Sequence, residues 1–240
     1  MAHSRQGGAR RPGVDADPDA LEGRIGYRFA DRALLELALT HRSRSGRRNN
    51  ERLEFLGDAF LGYVVGDELY RRHGDAQENA LTLLRASLVR RQTLAEIARG
   101  LDLGAYLRLG TGEMKSGGHR RESILSDTVE ALIGAVLLDA GDAEARALVL
   151  RLLGARLDEA RPGAVAKDPK TRLQEFLQGR GRPLPTYDVI AVDGSEHART
   201  FQVACTLSDA AHSAEGSGSS RRAAEQAAAG ALLGTLEGRS

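Results

Sequence analysis

Four carboxylates on two helical stretches are the groups in this sequence best placed to do chemistry. Glu54 and Asp58 lie in the run NERLEFLGDAFLG, and Asp127 and Glu130 in the run ESILSDTVEALIGA. The first pair is spaced i, i+4 and the second i, i+3, so each pair falls on one helical face. Like charges stacked in this way cost roughly 0.2–0.5 kcal/mol per pair when exposed. They cost more where apolar neighbours exclude water. Such neighbours surround both pairs: Leu53, Phe55, Leu56 and Leu61 in the first run, Ile124, Leu125, Val129, Leu132 and Ile133 in the second. A divalent cation is the simplest compensation. Hard carboxylate oxygens suit Mg²⁺, which prefers octahedral oxygen coordination and retains water, and Mn²⁺ is an expected substitute. An isolated acidic pair is ordinarily solvated or salt-bridged, and Arg52 or Arg85 could neutralise either pair. His41, which follows Thr40 at a helix end, is expected to make structural hydrogen bonds, because a metal-activated water needs no histidine nucleophile.

The elements that must hold these carboxylates are legible in the apolar periodicity. Residues 33–40, 51–73, 79–99, 120–139 and 143–158 each place apolar side chains at three-and-four spacing between glycine-rich breaks, which predicts an all-α first domain. The stretch 109–118 is too rich in glycine for a helix. Gly57 is expected to let another helix approach closely, and Phe55, Leu56, Phe60, Leu61 and Val64 to form core or subunit interface. Residues 1–19 mix Gly, Pro, Arg and Asp without periodicity and read as a flexible tail. The first domain is expected over 20–160, a linker over 161–167 in the segment ARPGAVAKDPK, and a second domain over 168–238.

In that second domain the period shifts from 3.6 to 2 and back. A helix over 170–178, strands over 186–193 and 199–207, a short strand near 210–215 and an alanine-rich helix over 220–236 predict α-β-β-β-α. This is a small α+β domain with two helices on one face of a sheet. The alanines at 223, 224, 227, 228 and 229 favour helix and close packing.

The 240 residues carry 41% hydrophobic side chains and a net charge of only +1, so no overall basic excess points to a polyanion. The distribution is more informative. Arginines cluster at 42–48, 71–72, 90–91, 120–121 and 221–222, several of them flanking the acidic runs. Cys205 is the only cysteine, which excludes an internal disulfide and a multi-cysteine zinc site, and it reads as a small buried hydrophobe. No apolar run reaches the roughly 20 residues that span a bilayer, and the first 19 residues lack the apolar segment of a signal peptide. A cytoplasmic location and no membrane partner are expected.

The run Asn50–Ala59 and the run Glu122–Leu132 together resemble the two signature helices of the ribonuclease III family. The C-terminal part resembles the double-stranded RNA-binding domain that follows in bacterial members, on Lys167-Asp168-Pro169-Lys170-Thr171, Leu184-Pro185-Thr186-Tyr187 and the run Gly218–Gln226. The resemblance covers about 210 residues. It implies a homodimeric, Mg²⁺-dependent endoribonuclease that hydrolyses double-stranded RNA. The expected products carry 5′-phosphate and 3′-hydroxyl ends with a two-nucleotide 3′ overhang. Processing of ribosomal and messenger RNA precursors is the expected role.

By the same resemblance Glu54, Asp58, Asp127 and Glu130 hold the metal, with Asp58 and Glu130 the residues on which chemistry depends most. Glu51, Glu78 and Glu113 are supporting acidic residues. RNA contacts fall to Thr171, Gln174 and Gln178 on the first helix of the second domain, to His197 in the turn between its first two strands, and to Ser220, Arg221 and Arg222 at the start of its last helix. Such contacts suit A-form RNA, whose wide minor groove exposes 2′-hydroxyls while its deep major groove is closed to side chains. The competing expectation is a double-stranded RNA-binding regulatory protein with weak or no cleavage.

Overall fold

In the computed structural model, which describes residues 17–163, 168–194, 199–209 and 212–238, the chain forms two units divided between Val165 and Ala166. The first unit is all-α. Its helix α1 (Pro18–Ile25) begins inside the stretch that the sequence assigns to the tail. The side chain of Asp17 caps it by accepting from the Asp19 N–H, Pro18 occupies the first turn where no N–H is needed, and Leu21 and Ile25 are fully buried. Helix α2 (Arg32–Ala38) is capped in the same way by Asp31.

Helices α3 (Glu51–Arg72) and α7 (Glu122–Ala140) form the centre of this unit. Their crossing depends on two glycines. A Cβ at Gly57 would lie 1.8 Å from the Glu130 carbonyl oxygen, and one at Gly134 would lie 2.2 Å from that of Leu53. Only the missing side chains let the two backbones come so near, which brings the acidic faces of both helices to one place. Below the crossing, Leu61, Val64, Val65 and Leu69 of α3 pack with Leu132, Ile133 and Val136 of α7 in one apolar core.

The expected single helix over 79–99 is two. Helix α4 (Glu78–Val89) and helix α5 (Arg91–Gly100) are separated at Arg90, whose ψ of 152° is extended. Thr93 fastens the corner by donating from Oγ1 to the Ser87 carbonyl at 2.8 Å, and Arg90 Nε donates to the same Oγ1 at 3.3 Å. The stretch expected to be irregular contains one helical turn, α6 (Thr111–Lys115), followed by a 3₁₀ turn at Gly118–Arg120. Here most of the glycines stand at boundaries. Gly110 precedes α6 and lies against the Ser43 carbonyl, and Gly117 takes a positive φ between the two turns. Helix α8 (Asp142–Glu159) closes the unit after Gly141, again at positive φ.

The second unit runs helix α9 (Pro169–Gln178), strands β1 (Thr186–Asp193), β2 (Thr200–Thr206) and β3 (Ser213–Gly218), then helix α10 (Arg221–Glu237). The sheet is antiparallel in the order β1-β2-β3, with Ile190 bulged between Val189 and Ala191. Strand β3 starts later than its sequence pattern suggests. Gly216 is the reason the sheet can seat α10, since a Cβ there would meet the Ala228 nitrogen at 2.1 Å. Ala224, Ala228 and Ala229 are completely buried in that contact, while Ala223 and Ala227 face outward. Cys205 is fully buried on β2. Among the described residues no helix is long and apolar enough to cross a membrane.

Candidate metal centre and RNA-binding surface

Helix α3 presents Glu54 and Asp58, and helix α7 presents Asp127 and Glu130, to one cavity of about 540 Å³ that is also bounded by Glu51, Phe55, Arg91 and Ser126. One carboxylate oxygen from each of Glu54, Asp127 and Glu130 lies within 4.8 Å of the others. Asp58 stands on the same cavity but outside that tightest group, and it is exposed where the other three are half-buried. Among the described residues none of the four forms an ion pair, so neither Arg52 nor Arg85 neutralises them.

The electrostatic consequence is large. Burial, followed by the charges of Asp58, Asp127 and Glu54, pushes the Glu130 carboxyl up to about 8, against a small opposing effect of Arg91. Burial and the same crowd of carboxylates also raise Glu54. A carboxyl that retains its proton near neutrality because its neighbours are anionic marks a place where a cation is strongly favoured. The donor set therefore fits a hard divalent ion: several carboxylate oxygens converge, no competing soft ligand is present in the group, and the cavity has room for water. Ser126 is buried, with its Oγ 2.9 Å from the Ser123 carbonyl and 3.1 Å from Asp127 Oδ1, and its single proton is shared between these two acceptors.

A second cavity of about 380 Å³ shares Glu51, Glu54 and Asp127 with the first. Its floor includes Glu113, paired to Arg121 at 2.7 Å, while Glu51 faces Arg42 at 3.5 Å. Glu51 and Glu113 thus join the neighbourhood of the cluster. Glu78 does not: it lines neither cavity and accepts from the Thr82 hydroxyl at the start of α4. His41 is tied up structurally. Its Nδ1 accepts from the Ser43 N–H at 3.1 Å and lies 2.8 Å from Ser43 Oγ, which in turn accepts from the Gly110 N–H. Burial lowers its pKa.

Ser126 and Gly134 are not singled out by the sequence, and Arg91 only as part of the arginine pair at 90–91. Gly134 had a usable signal, a second glycine on the apolar helix that must cross Gly57. Arg91 belongs to the arginine pair at 90–91 that the sequence shows, but its approach to the acids follows from the corner at Arg90.

In the second unit Thr171 and Gln174 of α9 and Arg221 and Arg222 of α10 line one surface cavity of about 620 Å³. Gln178 is exposed one turn further along α9, outside that cavity. Ser220 caps α10 by accepting from the Ala223 N–H at 3.2 Å, so the first-turn N–H groups and both arginines stand together at the helix's positive end. Thr171 donates its hydroxyl to Asp168 at 2.8 Å while retaining an acceptor oxygen. His197 lies outside the described residues.

An all-α unit whose carboxylate cluster could hold a divalent metal is followed by an α-β-β-β-α unit with a cationic helix start, the combination expected of a nuclease fused to a nucleic-acid-binding module. Comparison with known proteins specifies it further. Residues 31–157 match the Ribonuclease-III-like family and residues 169–236 the double-stranded RNA binding motif. Ribonuclease 3 of Alkalilimnicola ehrlichii is 58% identical over 219 residues, covering 91% of this chain and 96% of that protein. Ribonuclease 3 of Pseudomonas aeruginosa is 55% identical over 218 residues, covering 91% and 95%. The crystal structure of the ribonuclease III nuclease domain from Campylobacter jejuni superposes with a TM-score of 0.56 at 44% identity, covering 57% of this chain and 94% of that one. The chain belongs to the bacterial ribonuclease III family, with a nuclease domain followed by a double-stranded RNA-binding domain.

Proposed function

We propose that this ribonuclease is a Mg²⁺-dependent, double-strand-specific endonuclease whose metal is held by Glu54, Asp58, Asp127 and Glu130. The single observation that carries the reading is the convergence on one cavity of four carboxylates from two crossing helices, none of them in an ion pair among the described residues. A module that only bound RNA would gain nothing from four anionic groups aimed at phosphate, which argues against the regulatory alternative. When bound, the metal supplies an activated water and neutralises charge growing on the phosphoryl oxygens. The chain's own residues prepare for it. The close crossing at Gly57 and Gly134 fixes both helices, Ser126 lies within hydrogen-bond reach of Asp127, and Arg91 offsets part of the local negative charge.

The products are 5′-phosphate and 3′-hydroxyl ends with two-nucleotide 3′ overhangs, the substrates include ribosomal and other RNA precursors, and the location is the cytoplasm. Thr171, Gln174, Gln178, His197, Ser220, Arg221 and Arg222 hold the duplex, with Glu51 and Glu113 in support. Cutting both strands calls for two copies, since one acidic cavity addresses one strand. The side chains available for self-association are Phe55, Tyr63 and Tyr70 of α3 and Leu138 of α7, between 58% and 79% exposed, an unusual set of large apolar groups to leave in water. A Campylobacter jejuni relative, 44% identical, carries a region described as involved in dimer formation. Sedimentation should give a dimer, and a monomer that cleaves both strands at full rate would refute it.

The functional test compares wild type with Asp58→Asn and Glu130→Gln on a long perfect RNA duplex with Mg²⁺. The expected result is cleavage by wild type and retained binding without cleavage by both variants. Binding without cleavage by wild type would overturn the enzyme reading, and unchanged cleavage by both variants would overturn the site.

A further inference from the structure

The RNA-facing surface of the second unit contains an acid that its proposed role does not use. Glu225, one turn into α10, is almost enclosed, with 13% of its side chain exposed. It bridges the two helices. Its Oε2 meets Lys170 Nζ of α9 at 2.7 Å, and its Oε1 accepts from Arg221 Nε at 2.9 Å. Lys170 is held from a second direction as well, because its ammonium lies 4.1 Å from the centroid of the Tyr187 ring. Such a contact attracts a cation without carrying charge of its own. The Lys170 partnership is the main reason the Glu225 carboxyl is held below the usual carboxylate range.

The surface therefore has three cations, but they are not equivalent. Lys170 is committed to Glu225 and to the Tyr187 face. Arg221 is committed at Nε, which leaves the Nη edge of its guanidinium for a ligand, the planar fork that matches a phosphate. Arg222 forms no ion pair among the described residues and is exposed. With Asp168 and Glu225 counted against Lys170, Arg221 and Arg222, the cavity carries a net charge of +1. Removing the charge of Glu225 alone would double it.

We propose that Glu225 is a positioning residue that withholds Lys170 from phosphate and orients Arg221, so that of these three cations only Arg222 and the Nη edge of Arg221 meet the phosphates of a duplex. The inference rests on the double-stranded RNA reading and adds to it a limit on bulk charge attraction. Binding at this surface then depends on placed contacts matched to duplex geometry. A freed Lys170 would instead attract any polyanion, single-stranded RNA included.

The test is the salt dependence of binding by the full chain to a perfect RNA duplex, measured by fluorescence anisotropy between 50 and 200 mM KCl with EDTA present to prevent cleavage. Each additional phosphate neutralised steepens the slope of log K against log salt by about 0.7–0.9. Glu225→Gln, which keeps the shape and the acceptor for Arg221, is expected to steepen the slope by that amount. Its affinity relative to wild type then falls about threefold across the range. Glu225→Gln combined with Lys170→Met is expected to return to the wild-type slope, because the released cation is gone. Lys170→Met alone is expected to keep the wild-type slope.

A Glu225→Gln slope equal to wild type, or a uniform loss of affinity at every salt concentration, would overturn the proposal, the second result being that of a purely structural residue. A slope flattened by Lys170→Met alone would also overturn it, by showing that Lys170 already reaches phosphate. Failure of wild type to bind the duplex at all would be a different result, removing the RNA reading itself.

Discussion

Glu130→Gln should stabilise the metal-free protein at alkaline pH while removing its activity. In the folded chain the Glu130 carboxyl titrates near 8, driven first by burial and then by Asp58, Asp127 and Glu54, against an ordinary value of 4.5. Between those two values the folded state holds a proton that the unfolded state has released. Stability is therefore greatest at low pH and is lost as pH rises through about 8, the direction expected for an acid whose folded pKa is raised. Fully unscreened, that separation corresponds to about 5 kcal/mol, and solvent reaching the half-buried carboxyl reduces it to about 2–3 kcal/mol. Glutamine keeps the shape and abolishes the titration. In urea unfolding with EDTA, the stability of Glu130→Gln relative to wild type is expected to rise by about 2–3 kcal/mol between pH 5 and pH 9. Added Mg²⁺ should restore wild type at pH 9 far more than the variant. Parallel pH profiles for the two proteins would refute the electrostatic argument, as would a variant less stable than wild type at pH 9.

The other predictions concern packing, binding and a buried hydrogen bond. Gly57→Ala places a Cβ 1.8 Å from the Glu130 carbonyl oxygen, and thermal unfolding should show a loss of about 3 kcal/mol or more as α3 and α7 are forced apart. Arg222→Ala should weaken duplex binding about equally for different sequences and flatten the salt slope by about 0.7–0.9, read by anisotropy. Tyr27→Phe removes the hydroxyl that donates to Asp139 at 2.6 Å; chemical denaturation should register a loss of about 1–3 kcal/mol, because Asp139 also anchors the N–H groups of Ala30 and Asp31.

Much of this arrangement could be read from residue spacing, and the exceptions have identifiable causes. The i, i+4 and i, i+3 spacings put each acidic pair on one face, but only the Gly57–Gly134 crossing turns two faces into one cavity. Gly57 could be read as a close-packing position, although Gly62 and Gly66 stand in the same helix and meet no neighbouring backbone. Gly134, the one glycine within α7, carried a similar signal, and only the crossing pairs the two. The corner at Arg90 was invisible because neither Gly nor Pro marks it; Thr93 and the Ser87 carbonyl stabilise it through the fold. The turn α6 was hidden for the opposite reason. Its glycines suggested an irregular loop, yet Gly110 is there because the Ser43 carbonyl leaves no space for a side chain. In the second unit the change of period defined every element, and the late start of β3 reflects weak alternation in a strand that carries two glycines, Gly216 and Gly218. The bridging role of Glu225 could not be read from its position, because Lys170 lies 55 residues away in sequence.

The most direct test of the account is to incubate the protein with a long perfect RNA duplex, with Mg²⁺ or with EDTA, and to map the ends of both strands at nucleotide resolution. The account predicts Mg²⁺-dependent cuts on both strands, offset to leave two-nucleotide 3′ overhangs with 5′-phosphates and 3′-hydroxyls. Cleavage undiminished by EDTA, or an intact duplex after Mg²⁺ is supplied, would contradict it.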